Sequence, residues 1–164
     1  MPSIDTRTAP EAMHPIVAAY PLAGAQVGHF VIDHYALRRE ATGLLVLAEH
    51  GGPLDRALSD MFVERLSRLC EHLREHFALE EEDGYLREVI AQRPGLLSRA
   101  ASLQRQHATF LAEGATLAHQ LLGARAPHDT IPRLVRLLEA LRRHEFAEHD
   151  LFQQAFLDDL GSGD

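Results

Sequence analysis

Four long segments of the chain repeat apolar residues with a period of 3.6, and glycine or proline stands between consecutive segments. This spacing gives each segment one apolar face if it is helical, so it predicts four amphipathic α-helices. We expect them to cover about residues 25–49, 53–83, 100–121 and 130–161, with a short helical turn and a connector at 85–94.

The expected helix ends follow from local signals. Pro53 suits the first turn of the second helix, Gly84 ends that helix, and Thr130 can cap the fourth. Because the connections are short, consecutive helices should pack antiparallel, which predicts an all-α, up-down-up-down four-helix bundle over residues 25–161. Residues 1–24 contain four prolines and are expected to form an irregular N-terminal tail.

Composition narrows the class of protein. The 164 residues suit one domain. The single cysteine, Cys70, excludes an internal disulfide and a cysteine-based zinc cluster. We expect it to be a small buried apolar residue. A net charge of −8 disfavours nucleic acid as a partner. The sequence has neither a signal-peptide pattern nor an apolar run long enough to span a membrane, so we expect a cytoplasmic protein with no membrane partner.

Histidine and glutamate interrupt the apolar faces of all four predicted helices. The residues are His34 in the first helix, His76 and Glu80 in the second, His107 in the third, and His144 and Glu148 in the fourth. In a chain with eleven histidines a His-x-x-x-Glu pair can arise by chance, so position has to supply the specificity. At 100° per residue, all six lie on the apolar face of their helix.

The other histidines are weaker candidates. Most lie away from the apolar face or in the tail and loops: His14, His29, His50, His119, His128 and His149. His72 lies one turn before His76 and about 40° from the centre of the face, so it is an additional candidate ligand, with a hydrogen-bonded position at the core edge as the alternative. Glu81 is a second additional candidate, and its alternative is a solvated helix end.

The six residues also fall at nearly the same level of an antiparallel bundle, because a helix rises only ~1.5 Å per residue. Burying two carboxylates and four imidazoles without partners costs several kcal/mol each, and cations would remove that cost. Imidazole with carboxylate suits iron, manganese or zinc, and a carboxylate can bridge two ions. The pattern therefore predicts a dinuclear metal site with coordination positions left for solvent, oxygen or peroxide.

At these residues the chain resembles the hemerythrin-like, or HHE cation-binding, family of four-helix di-iron proteins. The motif order H, HxxxE, H, HxxxE is that of many bacterial members, and the resemblance runs from about Gly28 to Leu160. It implies that the four histidines are terminal ligands of two non-haem irons. It also implies that Glu80 and Glu148 bridge this oxo- or hydroxo-linked pair.

Two positions depart from the oxygen-carrying members of that family. Leu111 stands where they have a second histidine on the third helix, and His149 stands where they have an aspartate, with Glu148 one residue earlier. The pattern is closer to hemerythrin-like proteins implicated in peroxide, nitric oxide, or iron and oxygen sensing.

Three functions remain open from the sequence. The first is a di-iron protein that decomposes peroxide in a catalase-like reaction, or handles O2 or nitric oxide, in oxidative stress. The second is a non-enzymatic iron- or oxygen-binding or sensing module. The third is a plain helical bundle whose buried polar residues pair with one another, with no metal. Zinc or manganese could substitute for iron, no separate catalytic residue is assigned, and the oligomeric state is left open.

Overall fold

The computed structural model of the chain describes residues 24–82, 85–123 and 126–156. Within them it contains five α-helices and one 3-10 turn, and no strand. The helices are α1 (Gly24–His50), α2 (Arg56–Glu82), α3 (Tyr85–Gln92), α4 (Leu97–Leu122) and α5 (Thr130–Phe156), with the 3-10 turn at Pro94–Leu96. The four long helices confirm the all-α class. Gly24, assigned to the tail by the sequence, begins α1, whereas residues 1–23 and the predicted end at Gly161 lie outside the described residues.

The turn between α1 and α2 differs in one respect from the prediction. Gly52 has a φ of +71°, a backbone conformation that favours glycine, so the predicted break lies where expected. Pro53, however, precedes α2 by three residues instead of lying in its first turn. Asp55 starts the helix, because its Oδ1 accepts a hydrogen bond of 2.8 Å from the backbone N–H of Leu58.

The start of α5 also corrects the prediction. Thr130 is the first residue of the helix, so the capping position lies one residue before it. Thr130 is also fully buried. Its hydroxyl donates a hydrogen bond of 3.3 Å to Oε1 of Gln120, which ties the start of α5 to α4. The residue before the helix is Asp129, whose carbonyl accepts a hydrogen bond of 2.9 Å from the N–H of Arg133.

The long helices pack in a ring, α1 on α2, α2 on α4, α4 on α5 and α5 on α1. Their buried apolar side chains form two clusters. The main cluster joins all four and includes Leu44, Leu66, Leu117 and Leu138. The second joins α3 to α4 and α5 and includes Leu86, Val89, Leu103 and Leu151. None of the described helices combines the length and apolarity needed to cross a bilayer.

Candidate metal centre

Six polar side chains are buried between the two apolar clusters. They are His34 on α1, His76 and Glu80 on α2, His107 on α4, and His144 and Glu148 on α5, each at most 5% exposed. On α2 and α5 the four-residue step places an imidazole and a carboxylate on the same helix face. On α4, a residue of the second cluster precedes the histidine and a residue of the main cluster follows it. The structure thus brings together all six residues predicted as ligands.

Glu148 faces imidazoles from three helices. Its Oε1 lies 2.7 Å from Nε2 of His144 and 3.4 Å from Nε2 of His107. Its Oε2 lies 3.5 Å from Nε2 of His34. The two oxygens of this carboxylate therefore face different histidines: Oε1 faces His107 and His144, and Oε2 faces His34.

Glu80 has a complementary arrangement. Its Oε1 lies 3.1 Å from Nε2 of His76 and 3.9 Å from Nε2 of His34, whereas its Oε2 lies 3.4 Å from Nε2 of His107. Each glutamate thus extends between one histidine pair, His34 with His76, and another, on α4 and α5. Both carboxylates therefore lie within 4 Å of imidazoles from both histidine pairs.

The donor atoms fall into two compact groups. One contains His34, His76, Glu80 and Glu148, the other contains His107, His144 and Glu148, and the atoms of each group lie within 4.8 Å of one another. The Nε2 atoms of His34 and His76 are 3.0 Å apart. Two ligand atoms at about 2.1 Å from one ion and at right angles are separated by about 3 Å, so this spacing fits a shared cation. Both groups could hold a metal ion.

Several of these contacts are close without being hydrogen bonds. Neither oxygen of Glu80 has a hydrogen-bond partner among the described residues, although Nε2 of His76 lies 3.1 Å from its Oε1. Nε2 of His144 has none either, although Oε1 of Glu148 lies 2.7 Å from it. A buried polar atom left without a hydrogen bond destabilises the fold. Hydrogen bonds within the centre join His34 to His76 and His107 to Glu148, but they leave these Glu80 and His144 atoms uncompensated, and a cation would compensate them.

The pKa values of the two buried carboxylates shift in opposite directions. Burial raises the pKa of Glu80 above its usual value. Burial also acts on Glu148, but contacts with the imidazoles of His107, His144 and His34 outweigh it and hold the pKa of that carboxyl well below its usual range. Glu148 is therefore an anion at neutral pH, and it is the donor that both groups share.

The imidazoles balance this charge unequally. Burial lowers the pKa of His34, which favours the neutral ring that metals bind. For His107, burial is outweighed by contacts with Glu148 and Glu81, and its pKa is raised. The neighbouring carboxylates thus favour a proton on His107 in the metal-free chain, and a cation in the centre would compete with that proton.

Two neighbouring residues orient the histidines. Nδ1 of His107 donates a hydrogen bond of 2.8 Å to Oε1 of Glu81, and Nδ1 of His144 donates one of 3.3 Å to Oε1 of Gln106. Such contacts at Nδ1 keep Nε2 directed to the centre. Glu81, an additional candidate ligand in the sequence prediction, therefore lies outside the two donor groups and contacts one of their members, His107. The sequence prediction missed Gln106, which has no periodicity signal because its side chain lies beside the apolar face.

His72, the other additional candidate, is not part of either donor group. Its Nδ1 lies 3.0 Å from Oε2 of Glu40, which links α2 to α1 one helical turn away from the centre. Its side chain is 43% exposed. His72 thus lies at the edge of the core, outside the six-residue centre.

A third buried carboxylate, on Glu145, was missed by the sequence prediction. Glu145 is 3% exposed, and its Oε2 accepts a hydrogen bond of 3.0 Å from Nε of Arg38. Burial raises the pKa of Glu145 to about 7, although Arg38 opposes the shift. Its spacing of four residues after Leu141 and three before Glu148 was the signal that could have revealed an inward-facing position.

Two aromatic rings of the main cluster lie against histidines of the six-residue centre. Phe77 stacks on His107, with ring centroids 3.9 Å apart and planes parallel within 1°. Phe110 approaches His144 edge-on at 5.1 Å. Because Phe77 and Phe110 belong to the main cluster, two of the histidines are held between apolar rings and the polar centre.

Compared with known proteins, the chain matches no family model, no curated protein and no solved structure. What can be inferred about function depends on the site itself. In the described residues that site is a buried histidine and glutamate cluster, between four long helices, that could hold metal.

Proposed function

We propose that the chain is a hemerythrin-like, up-down-up-down four-helix bundle that binds two iron ions and handles or senses small oxidants such as peroxide, oxygen or nitric oxide. One observation carries the proposal: Glu80 and Glu148 each face imidazoles of both histidine pairs. A buried carboxylate with one oxygen toward each pair suits a bridge between two cations, and a single ion would leave one pair uncompensated.

Contacts between helix ends support the up-down topology. Arg56, the first residue of α2, donates a hydrogen bond of 3.3 Å to the carbonyl of Leu122, the last residue of α4. Near the opposite end of α2, Glu81 contacts His107, in the first half of α4. These two contacts are those of antiparallel neighbours, as short connections between consecutive long helices require.

The donor set supports iron, and accepts manganese or zinc as substitutes. The first donor group would give one ion four protein donors and the second would give the other ion three, both fewer than the six of an octahedral ion. Iron, when bound, supplies the change of oxidation state that reduction of an oxidant requires. The protein's own part is to hold the donors, to keep Glu148 ionised, and to seal the main-cluster side with Phe77 and Phe110.

A second function, sensing without turnover, is favoured by the number of helices that supply metal-binding side chains. They come from α1, α2, α4 and α5, so loading would link all four long helices. Metal binding that crosslinks helices also orders them, and a partner could respond to that change. Catalysis and sensing are separated by whether iron-loaded protein consumes peroxide repeatedly.

The test is to reconstitute the metal-free full chain anaerobically with ferrous iron, measure iron by elemental analysis, and record visible spectra after adding air and peroxide. We expect two irons per chain and a charge-transfer band from the oxidised centre. Continued consumption of peroxide would select the enzyme, and a single response without turnover would select the sensor. A chain that binds no iron, manganese or zinc would contradict the proposal.

A further inference from the structure

A second histidine and glutamate pair lies outside the six-residue centre, where α1 meets α2. Nδ1 of His72 is 3.0 Å from Oε2 of Glu40. The His72 side chain is 43% exposed and that of Glu40 is 18% exposed. Solvent therefore reaches this pair, in contrast to the buried centre.

The contact between His72 and Glu40 is not an ordinary hydrogen bond. Oε2 of Glu40 is buried and accepts no hydrogen bond from the described residues, although the His72 nitrogen is within 3.0 Å. The same combination occurs inside the centre at Nε2 of His144, which lies 2.7 Å from Oε1 of Glu148 and has no hydrogen-bond partner among the described residues. An imidazole nitrogen and a carboxylate oxygen that approach without bonding to each other can share a cation.

The pair lies on the two helices that supply His34 and His76. His72 precedes His76 by four residues on α2, a rise of about 6 Å, and Glu40 follows His34 by six residues on α1, a rise of about 9 Å. The pair is thus roughly one to two helical turns from the first donor group, along the same helix contact. A cation held there would be partly hydrated and close to the buried histidines.

We propose that His72 and Glu40 form an outer divalent-cation site that captures ferrous iron from solvent and passes it to His76 and His34. The inference rests on the proposed function. Two protein donors with water in the other positions bind a hard cation weakly, which suits transfer and not retention. The negative charge of Glu40 also attracts the cation toward the α1 and α2 contact.

The experiment follows iron uptake, not the activity of the loaded protein. Metal-free full chains of the wild type, His72→Ala and Glu40→Gln are mixed anaerobically with ferrous iron below saturation. The iron left free is measured at intervals with a chromogenic chelator. His119→Ala on α4 is the matched control, because it removes an exposed histidine outside both sites. Both test variants should load roughly tenfold more slowly than the wild type and the control, and reach the same final iron content.

The outcomes separate this inference from the proposed function. A wild type that takes up no iron contradicts both. A wild type that loads two irons at the same rate as both variants contradicts the outer site alone. A lower final iron content in His72→Ala also overturns it, because His72 would then be a ligand of the centre. Circular dichroism checks that each variant is folded, and Glu40→Gln decides the question if His72→Ala is not.

Discussion

Nε2 of His144 and Oε1 of Glu148, one turn apart on α5, lie 2.7 Å from each other, yet the nitrogen has no hydrogen-bond partner among the described residues. Two groups that approach so closely without a hydrogen bond are typical of neighbouring ligands directed at one ion. The burial of both residues makes this geometry costly for the chain without metal, since no donor among the described residues compensates the nitrogen. The relationship is therefore a stronger indication of metal binding than the residue types alone.

Glu148→Gln should remove more iron than Glu80→Gln. The neutral amide keeps the side-chain volume but removes the anion, and Glu148 belongs to both donor groups whereas Glu80 belongs to one. Elemental analysis after anaerobic reconstitution should give fewer than one iron per chain for Glu148→Gln. The control is Glu139→Gln, an exposed glutamate on the same helix, which should keep two. Two irons retained by Glu148→Gln would contradict the bridging assignment.

Glu145→Gln should stabilise the metal-free protein at high pH. The pKa of Glu145 is about 7 in the folded state against an ordinary 4.5, so the folded chain binds this proton more tightly than the unfolded chain. Stability from this group is complete below about pH 4.5 and is lost as the pH rises through about 7. The amide resembles the protonated acid, so the variant should match the wild type near the acid limit and exceed it at about pH 8 by up to ~3 kcal/mol.

Urea unfolding with a chelator present, at several pH values, measures this difference. Because the other titrating groups occur in both proteins, they largely cancel in the comparison. Glu139→Gln again serves as the control and should show no such trend. A difference that stays flat with pH, or that favours the wild type at high pH, would show that Glu145 is ionised without cost.

Gly114→Ala should destabilise the protein, although alanine favours helices by about 1 kcal/mol over glycine. A Cβ on Gly114 would lie 2.5 Å from Sγ of Cys70, where α4 meets α2. The overpacking should lower the free energy of unfolding by about 1–3 kcal/mol. Adding Cys70→Ala should restore most of the loss, as a double-mutant cycle by urea unfolding will measure. Gly95→Ala is the control, since a Cβ there meets nothing within 4 Å.

Glu81→Ala should weaken metal binding without changing the final iron content. Glu81 holds His107 through Nδ1, and loss of such a contact typically lowers metal affinity by roughly 10- to 100-fold. Competition with a chelator of known affinity measures the change. Glu75→Ala, which removes an exposed glutamate from the same helix, should bind as the wild type does. Equal affinities in the two variants would leave Glu81 without an orienting role.

Much of the fold and the candidate site was predictable because the signals are local. Periodicity located the four long helices, and position on the apolar face selected His34, His76, His107 and His144 from eleven histidines. The starts of α2 and α5 were less predictable. Pro53 and Thr130 both suit a helix start, but the Asp55 cap and the contact of Thr130 with Gln120 decided where the helices begin.

The sequence by itself determined that the six histidine and glutamate side chains share apolar helix faces, because helical periodicity is a property of the chain alone. Only the tertiary structure decided which atoms meet: that each carboxylate reaches both histidine pairs, that Glu81 and Gln106 orient imidazoles, and that Arg38 accompanies the buried Glu145. These contacts join different helices. They depend on the rotation and level at which the helices pack, which core side chains set together and no single segment specifies.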